Sequence, residues 1–201
     1  MSMHIDGKKV TAMYWGGRKI REAWYGGERV FSGKPVEVMP PTPGNFDARD
    51  WLRAKLTEYG ENYQTVTEMP FEIDTGKATT MRAMFYGCSS LTTVPSMDTS
   101  QVTNMDSMFY RCSSLTTVPD MDTAQVTNMG YMFQSCSSLT TVPDMDTAQV
   151  TNMRYMFQRC SSLTDGNVRL IGKNQQVTTT GMIIGSGLTR EPFYDSSGQP
   201  I

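Results

Sequence analysis

Residues 84–107 read MFYGCSSLTTVPSMDTSQVTNMDS, and the next stretch, 108–131, reads MFYRCSSLTTVPDMDTAQVTNMGY. Residues 132–155 follow as MFQSCSSLTTVPDMDTAQVTNMRY. The step of 24 is carried by Cys88, Cys112, Cys136 and Cys160, by Leu91, Leu115, Leu139 and Leu163, and by the Met-Phe pairs that begin at Met84, Met108, Met132 and Met156. A fourth copy runs from Met156 to Leu163 before diverging. A degenerate one precedes the first, with Asp74-Thr75 and Met81 standing one full period before Asp98-Thr99 and Met105. Near-identical units at a fixed period of this size signal a stacked repeat. One unit cannot bury its apolar face alone, whereas successive copies share a continuous core.

Inside a unit the hydrophobic period changes. Met105, Met108, Phe109 and Cys112 fall at i, i+3, i+4 and i+7, which predicts a short helix capped by Thr103 or Asn104. Leu115 to Val118 is short and β-branched and predicts a strand, which Pro119 ends by withholding a donor. Asp122-Thr123 predicts a turn in which the carboxylate accepts from its own backbone. The expected fold is therefore an α/β repeat solenoid of leucine-rich-repeat type with 24-residue units, carried with a small N-terminal β-meander module.

Working outward, Asn45 or Asp47 starts a helix whose Ala48, Trp51, Leu52, Lys55, Leu56 and Tyr59 share one stripe, and Gly60 stops it. Together with the degenerate copy this makes an N-terminal cap over 45–80. The repeats occupy 81–163. Residues 164–201 form a C-terminal cap, with Val168–Ile171 and Met182–Ile184 as candidate last strands. At the other end, Gly7-Lys-Lys-Val10, Gly17-Arg-Lys-Ile20 and Gly27-Glu-Arg-Val30 recur at a step of ten, with Tyr14, Trp15, Trp24 and Tyr25 between them. Short aromatic runs broken by Gly-Gly read as a β-meander over 1–33. So short a segment cannot bury an independent core, and it is expected to need a partner. Pro35, Pro40, Pro41 and Pro43 mark 34–44 as a semi-rigid linker.

Composition narrows the function. Leu, Ile, Val and Phe number only 36 of 201, and 17 Met supply the missing apolar volume. The formal net charge of −2 gives no electrostatic case for nucleic acid, although residues 1–33 hold six basic side chains against three acidic ones. No run reaches the length of a membrane span, and the stretch Met1 to Val10 lacks the apolar core of a secretion signal, so no membrane insertion is expected. His4 is the only histidine and lies near the terminus. Without a catalytic constellation the chain is expected not to be an enzyme. The four Cys sit at inward positions and read as buried thiols, with disulfides between neighbouring units as the second option and zinc disfavoured by their spacing. Asp74, Asp98, Asp122 and Asp146 form a ladder that reads as four self-satisfied turns, calcium being the rival reading. No metal and no cofactor is expected.

The units differ where a partner would touch them. Copies 108–131 and 132–155 differ only at Tyr110/Gln134, Arg111/Ser135 and Gly130/Arg154, and the first copy adds Gly87, Asp106 and Ser107. These positions lie on the face opposite the Met-Met-Phe-Cys stripe, while the first copy's remaining differences, Ser96 and Ser100, lie elsewhere. The candidate partner-binding residues are Tyr86, Tyr110, Arg111, Tyr131, Gln134, Arg154, Tyr155, Gln158 and Arg159, since Tyr and Arg are the side chains that anchor interfaces. Free drift of surface positions after duplication is the plain alternative. The rival binding surface is the threonine-rich one formed by Thr92, Thr93, Thr116, Thr117, Thr140 and Thr141.

The unit MFYRCSSLTTVPDMDTAQVTNM resembles the BspA-type leucine-rich repeats, over roughly Met69 to Leu163. These repeats occur in bacterial surface proteins and phage-encoded proteins. The resemblance implies adhesion and partner binding, and it brings no catalytic residues. Tyr14-Trp-Gly-Gly17, Trp24-Tyr-Gly-Gly27 and Gly187-Leu-Thr-Arg-Glu-Pro-Phe-Tyr194 resemble segments of phage minor tail or virion proteins. That likeness implies a virion component, present in multiple copies. Other virion proteins would hold residues 1–33, and the repeats would face a host-surface protein or glycan. The alternative is a bacterial cell-surface adhesin.

Overall fold

A computed structural model describes residues 34–42 and 46–201 in full and, within 1–33, the backbone of six short strands. These are β1 (His4–Ile5), β2 (Lys8–Lys9), β3 (Met13–Trp15), β4 (Arg18–Ile20), β5 (Ala23–Tyr25) and β6 (Glu28–Phe31). They pair antiparallel as β1 with β2, β3 with β4 and β5 with β6, in three separate sheets rather than one meander. The Gly-Gly turns at 16–17 and 26–27 and the side chain of His4 lie outside the described residues.

The expected linker is not a free spacer. Val36–Val38 forms β7, which pairs antiparallel with β4 and parallel with β8 (Glu72–Asp74). Its central residue, Glu37, is only 6% exposed. Tyr59 donates to its Oε1 at 2.7 Å, and the Lys55 ammonium lies 3.2 Å from its Oε2. A buried carboxylate needs such partners, and both come from the neighbouring helix and its end. That helix, α1 (Ala48–Glu58), starts where expected. The Asp47 side chain accepts from the backbone N–H of Arg49 and Asp50, and Gly60 follows its end with φ +76°. Ala48, Leu52 and Leu56 face the core.

From Met81 onward each unit hydrogen-bonds to the next. Phe85 N–H donates to the Met108 carbonyl, Phe109 to Met132 and Phe133 to Met156, at 2.9–3.0 Å. The inward positions then form columns. Phe85, Phe109, Phe133 and Phe157 stack with ring centroids 5.4–5.7 Å apart and planes within 7°. The Met, Cys, Leu and Val columns beside them are fully buried through the middle units. Burial of each Phe stabilises the fold by about 1.5–3 kcal/mol.

The predicted helix in each unit is absent. Met105 to Cys112 and its equivalents form consecutive tight turns, and α1 is the one α-helix among the described residues. The reason lies in the hydrogen bonds. An α-helix sends every N–H back to residue i−4, whereas here Met105, Ser107, Phe109 and Arg111 send theirs forward, to the carbonyls of Asn128, Gly130, Met132 and Gln134. Only the alternate residues close local bonds, such as Met108 N–H to the Met105 carbonyl. This alternation drives two residues per unit to positive φ: Ala83, Ser107, Tyr131 and Tyr155 in one column, Gly87, Arg111, Ser135 and Arg159 in the other. The spacing i, i+3, i+4, i+7 is compatible with both geometries, so the apolar pattern alone predicted the wrong one. The Leu-Thr-Thr-Val segments are likewise not regular strands. Pairing appears as isolated parallel bridges, Thr80 to Asn104, Asn104 to Asn128 and Asn128 to Asn152.

The last unit is slightly longer than the others and keeps the pattern with Gly181 and Gly185, both at φ +68°. A parallel sheet of β9 (Met145–Asp146), β10 (Leu170–Ile171) and β11 (Phe193–Tyr194) closes the other side. Residues 182–184, a candidate strand, are turn, while β11 was not foreseen.

Candidate functional site: the tyrosine and arginine turns

The tight turns place all nine candidate residues on one surface, in four parallel columns. Reading from the first unit to the fourth, one column holds Arg82, Asp106, Gly130 and Arg154, and the next Ala83, Ser107, Tyr131 and Tyr155. The third holds Tyr86, Tyr110, Gln134 and Gln158, and the fourth Gly87, Arg111, Ser135 and Arg159. The stacking of backbones enforces stacking of side chains. The Tyr86 and Tyr110 rings lie 4.7 Å apart and nearly parallel, and those of Tyr131 and Tyr155 lie 5.3 Å apart. Gln134 donates from Nε2 to the Oε1 of Gln158. These tyrosines and glutamines are half-buried, whereas Arg111, Arg154 and Arg159 are exposed.

The Tyr86 ring stacks on Tyr110 and also has the Arg49 guanidinium 5.9 Å from its centroid. The Arg111 guanidinium lies 5.3 Å from the Tyr110 centroid. Tyr155 is confined by backbone, since a Cβ added to Gly181 would lie 2.3 Å from its ring. Rings held in this way offer their hydroxyls and edges at little further entropic cost, the property of a preorganised contact surface. Charge is partitioned as well. Asp106 pairs with Arg82 at 3.5 Å, and Arg111, Arg154 and Arg159 remain as exposed cations.

Tyr131, Tyr155, Arg111 and Arg159 sit at φ +56° to +60°, where a side chain costs on the order of 1 kcal/mol. The hydrogen bond each N–H makes to the following unit, at 2.8–3.0 Å, helps hold it there. Sequence reasoning missed this strain, and it missed Gly181 and Gly185. Their spacing of four, the same as Ala83 to Gly87, is the signal that carried it.

The aspartate ladder is self-satisfied. Oδ1 of Asp74, Asp98, Asp122 and Asp146 accepts from the N–H two residues on. The hydroxyl and N–H of Ser100 hold the Asp98 carboxyl below its ordinary value. Asn104, Asn128 and Asn152 make the same turn rather than capping helices. On the threonine surface, Thr92, Thr116 and Thr140 are exposed, but each hydroxyl donates to a carbonyl of the preceding unit. The four cysteines are buried free thiols. Those of Cys112, Cys136 and Cys160 donate to the carbonyls of Phe85, Phe109 and Phe133. Burial pushes the Cys88 and Cys160 thiols up to about 12 and those of Cys112 and Cys136 well above their ordinary value. A thiol so held is neither a nucleophile nor a ready metal ligand.

No curated protein and no solved structure shows a significant match to this chain. One family model does, described as "Mycoplasma protein of unknown function, DUF285", and it spans residues 54–169. That span takes in the latter half of α1, the degenerate copy, every full repeat and the start of the closing sheet. The match fits the BspA-type resemblance of the unit loosely. Covering more than half of the chain, it establishes that this protein belongs to the DUF285 family.

Proposed function

We propose that this protein is a non-enzymatic binding protein, a repeat solenoid of leucine-rich-repeat type whose tyrosine and arginine turns form the contact surface. The observation that carries the reading is the gathering of Tyr86, Tyr110, Tyr131 and Tyr155 with three exposed arginines into adjacent columns, fixed by ring stacking and by the ladder beneath. Rigid aromatic and arginine side chains are the groups that supply most interface energy. The threonine surface is the weaker candidate, because half of its hydroxyls are committed to the preceding unit.

The finer reading is a phage virion structural protein, tail or capsid accessory, with the repeats facing a host-surface protein or glycan. It rests on the Gly-Gly units within 1–33 and on the segment 187–194. A bacterial cell-surface adhesin is the second reading, favoured by the surface proteins that share BspA-type repeats. Multiple copies on one particle would raise avidity without strong single contacts.

Immunogold labelling with antibody to residues 46–201 tests the location. Label on purified particles supports the virion reading, and label on the bacterial envelope alone transfers the assignment to the adhesin. The contact surface is tested on whichever body is labelled, by replacing Tyr110, Arg111 and Arg154 together by Ala. A folded triple variant that attaches as well as the parent protein rejects these turns as the binding surface.

A further inference from the structure

The turn ladder is polar, and its last rung is unfilled. In every interior unit, four N–H groups at alternate residues point toward the C-terminal end and meet four carbonyls of the following unit. Met105, Ser107, Phe109 and Arg111 donate to Asn128, Gly130, Met132 and Gln134 at 2.8–2.9 Å. Met129, Tyr131, Phe133 and Ser135 repeat this on Asn152, Arg154, Met156 and Gln158. Met153, Tyr155, Phe157 and Arg159 then donate to Thr178, Thr180, Met182 and Ile184. The equivalent donors of the last unit are the N–H groups of Thr179, Gly181, Ile183 and Gly185. Among the described residues none of the four has a hydrogen-bond partner.

The surroundings distinguish this edge from an ordinary frayed end. On the opposite side of the same unit the chain closes its own edge. β11 covers β10, Ile201 N–H returns to the Phe193 carbonyl, and Asp195 N–H bonds the Gln199 carbonyl. At the N-terminal end of the stack, α1 brings Arg53 to the carbonyl of Tyr86. Over the turn side of the last unit no such element lies among the described residues. There Ile184 is 59% exposed, and Gly181 and Gly185 present no side chain where interior units carry Tyr, Arg or Ser.

We propose that this edge is a backbone-addition surface, which binds a polypeptide segment offering carbonyl oxygens at alternate residues, with an apolar side chain set against Ile184. The class of ligand follows from what the equivalent donors take four times over inside the molecule, beginning with Met81, Ala83, Phe85 and Gly87 on Asn104, Asp106, Met108 and Tyr110. They take a row of peptide carbonyls two residues apart, which a single small anion cannot reproduce. The mode is that of strand addition to an open sheet edge, in which main-chain bonds give affinity and one or two side chains give selectivity. This surface is the C-terminal end of the tyrosine and arginine columns, with Gly181 beside Tyr155 and Gly185 beside Arg159, but its donors are backbone N–H groups and it does not depend on the reading given to those side chains.

The experiment uses the full ¹⁵N-labelled chain and a synthetic peptide of residues 125–135, which carries the four carbonyls an interior ladder presents. Before peptide is added, the amides of Thr179, Gly181, Ile183 and Gly185 should exchange with solvent at unprotected rates, while those of Tyr155, Phe157 and Arg159 are protected. Added peptide, to about 1 mM, should shift these four amides and slow their exchange at least about tenfold. A scrambled peptide should not, and Ile184→Asp should weaken the response without moving the interior amides. Three results would overturn the proposal: protection of the four amides in the free protein, no response to the peptide, or the same response to inorganic phosphate, which would mark a simple anion site.

Discussion

The two ends of the stack are closed by different means. At the N-terminal end the cover is a helix and its side chains. Leu52 and Leu56 of α1 are buried in the common core, and Phe46, Trp51 and Tyr59 pack against it. Thr42 braces the first unit: its Oγ1 accepts from the N–H of Thr79 and Thr80, while its carbonyl accepts from the Thr79 hydroxyl. At the C-terminal end Leu188 and Phe193 are buried in the same core, and the chain adds close approach of its own backbone. A Cβ added to Gly187 would lie 2.0 Å from the Leu163 carbonyl oxygen, and one added to Gly181 would strike Tyr155. Apolar burial by a helix tolerates exchange of similar side chains. Closure by direct backbone approach tolerates only glycine, and it leaves donors open.

The largest expected effect tests whether the units between the ends behave as one body. In the folded chain burial pushes the Cys88 and Cys160 thiols up to about 12, against an ordinary 9.0, and those of Cys112 and Cys136 well above that ordinary value. The unfolded chain therefore releases these protons first. Stability is full below about pH 9 and falls as pH rises toward 12, by about 1 kcal/mol for each of Cys88 and Cys160 within one pH unit above 9, and the Cys112 and Cys136 thiols act in the same direction. Urea midpoints measured from pH 8 to 11 check the slope, and a Cys112→Ala, Cys136→Ala variant should show about half of it.

Leu52→Ala removes a fully buried side chain from the helical cover and should cost about 2–5 kcal/mol, read as a lower urea midpoint. Gly187→Ala attacks the backbone cover and should cost about 2–3 kcal/mol. Its amide-exchange losses should be confined to the last two units, and a uniform loss through to Met81 would erase the distinction between the ends. Thr42→Val deprives two N–H groups of their acceptor and should cost about 1–3 kcal/mol, with protection lost at Thr79 and Thr80. The smallest effect has the opposite sign. Arg111→Gly relieves a side chain at φ +60° and should leave the midpoint unchanged or raise stability by up to ~1 kcal/mol.

Much of the frame was legible because it rests on identity between copies. The inward Met, Phe, Cys and Leu columns and α1 with Asp47 and Gly60 at its ends follow from spacing and capping chemistry. The self-satisfied aspartate turns were equally readable, since an Asx turn is closed locally. The helix predicted at Met105 to Cys112 was wrong because its apolar spacing does not say where the N–H groups go. The linker predicted at 34–44 was wrong at its centre, where Glu37 is held by Tyr59 and Lys55, far along the chain. Of the proposed contact surface, the sequence named the nine side chains through variation between units and through residue type, but not their pairing into stacks nor the positive φ that sets the direction of several of them.

The sequence by itself determined the period, the order of the units and which side chains turn inward, because those properties are written in the composition of a single unit. Only the tertiary structure decided the direction of the backbone hydrogen bonds, the left-handed residues that follow from it, and the open row of donors at the last unit. Each of these depends on a neighbour in the adjacent unit, about one period away along the chain, and a residue's local chemistry is the same whether that neighbour is present or not.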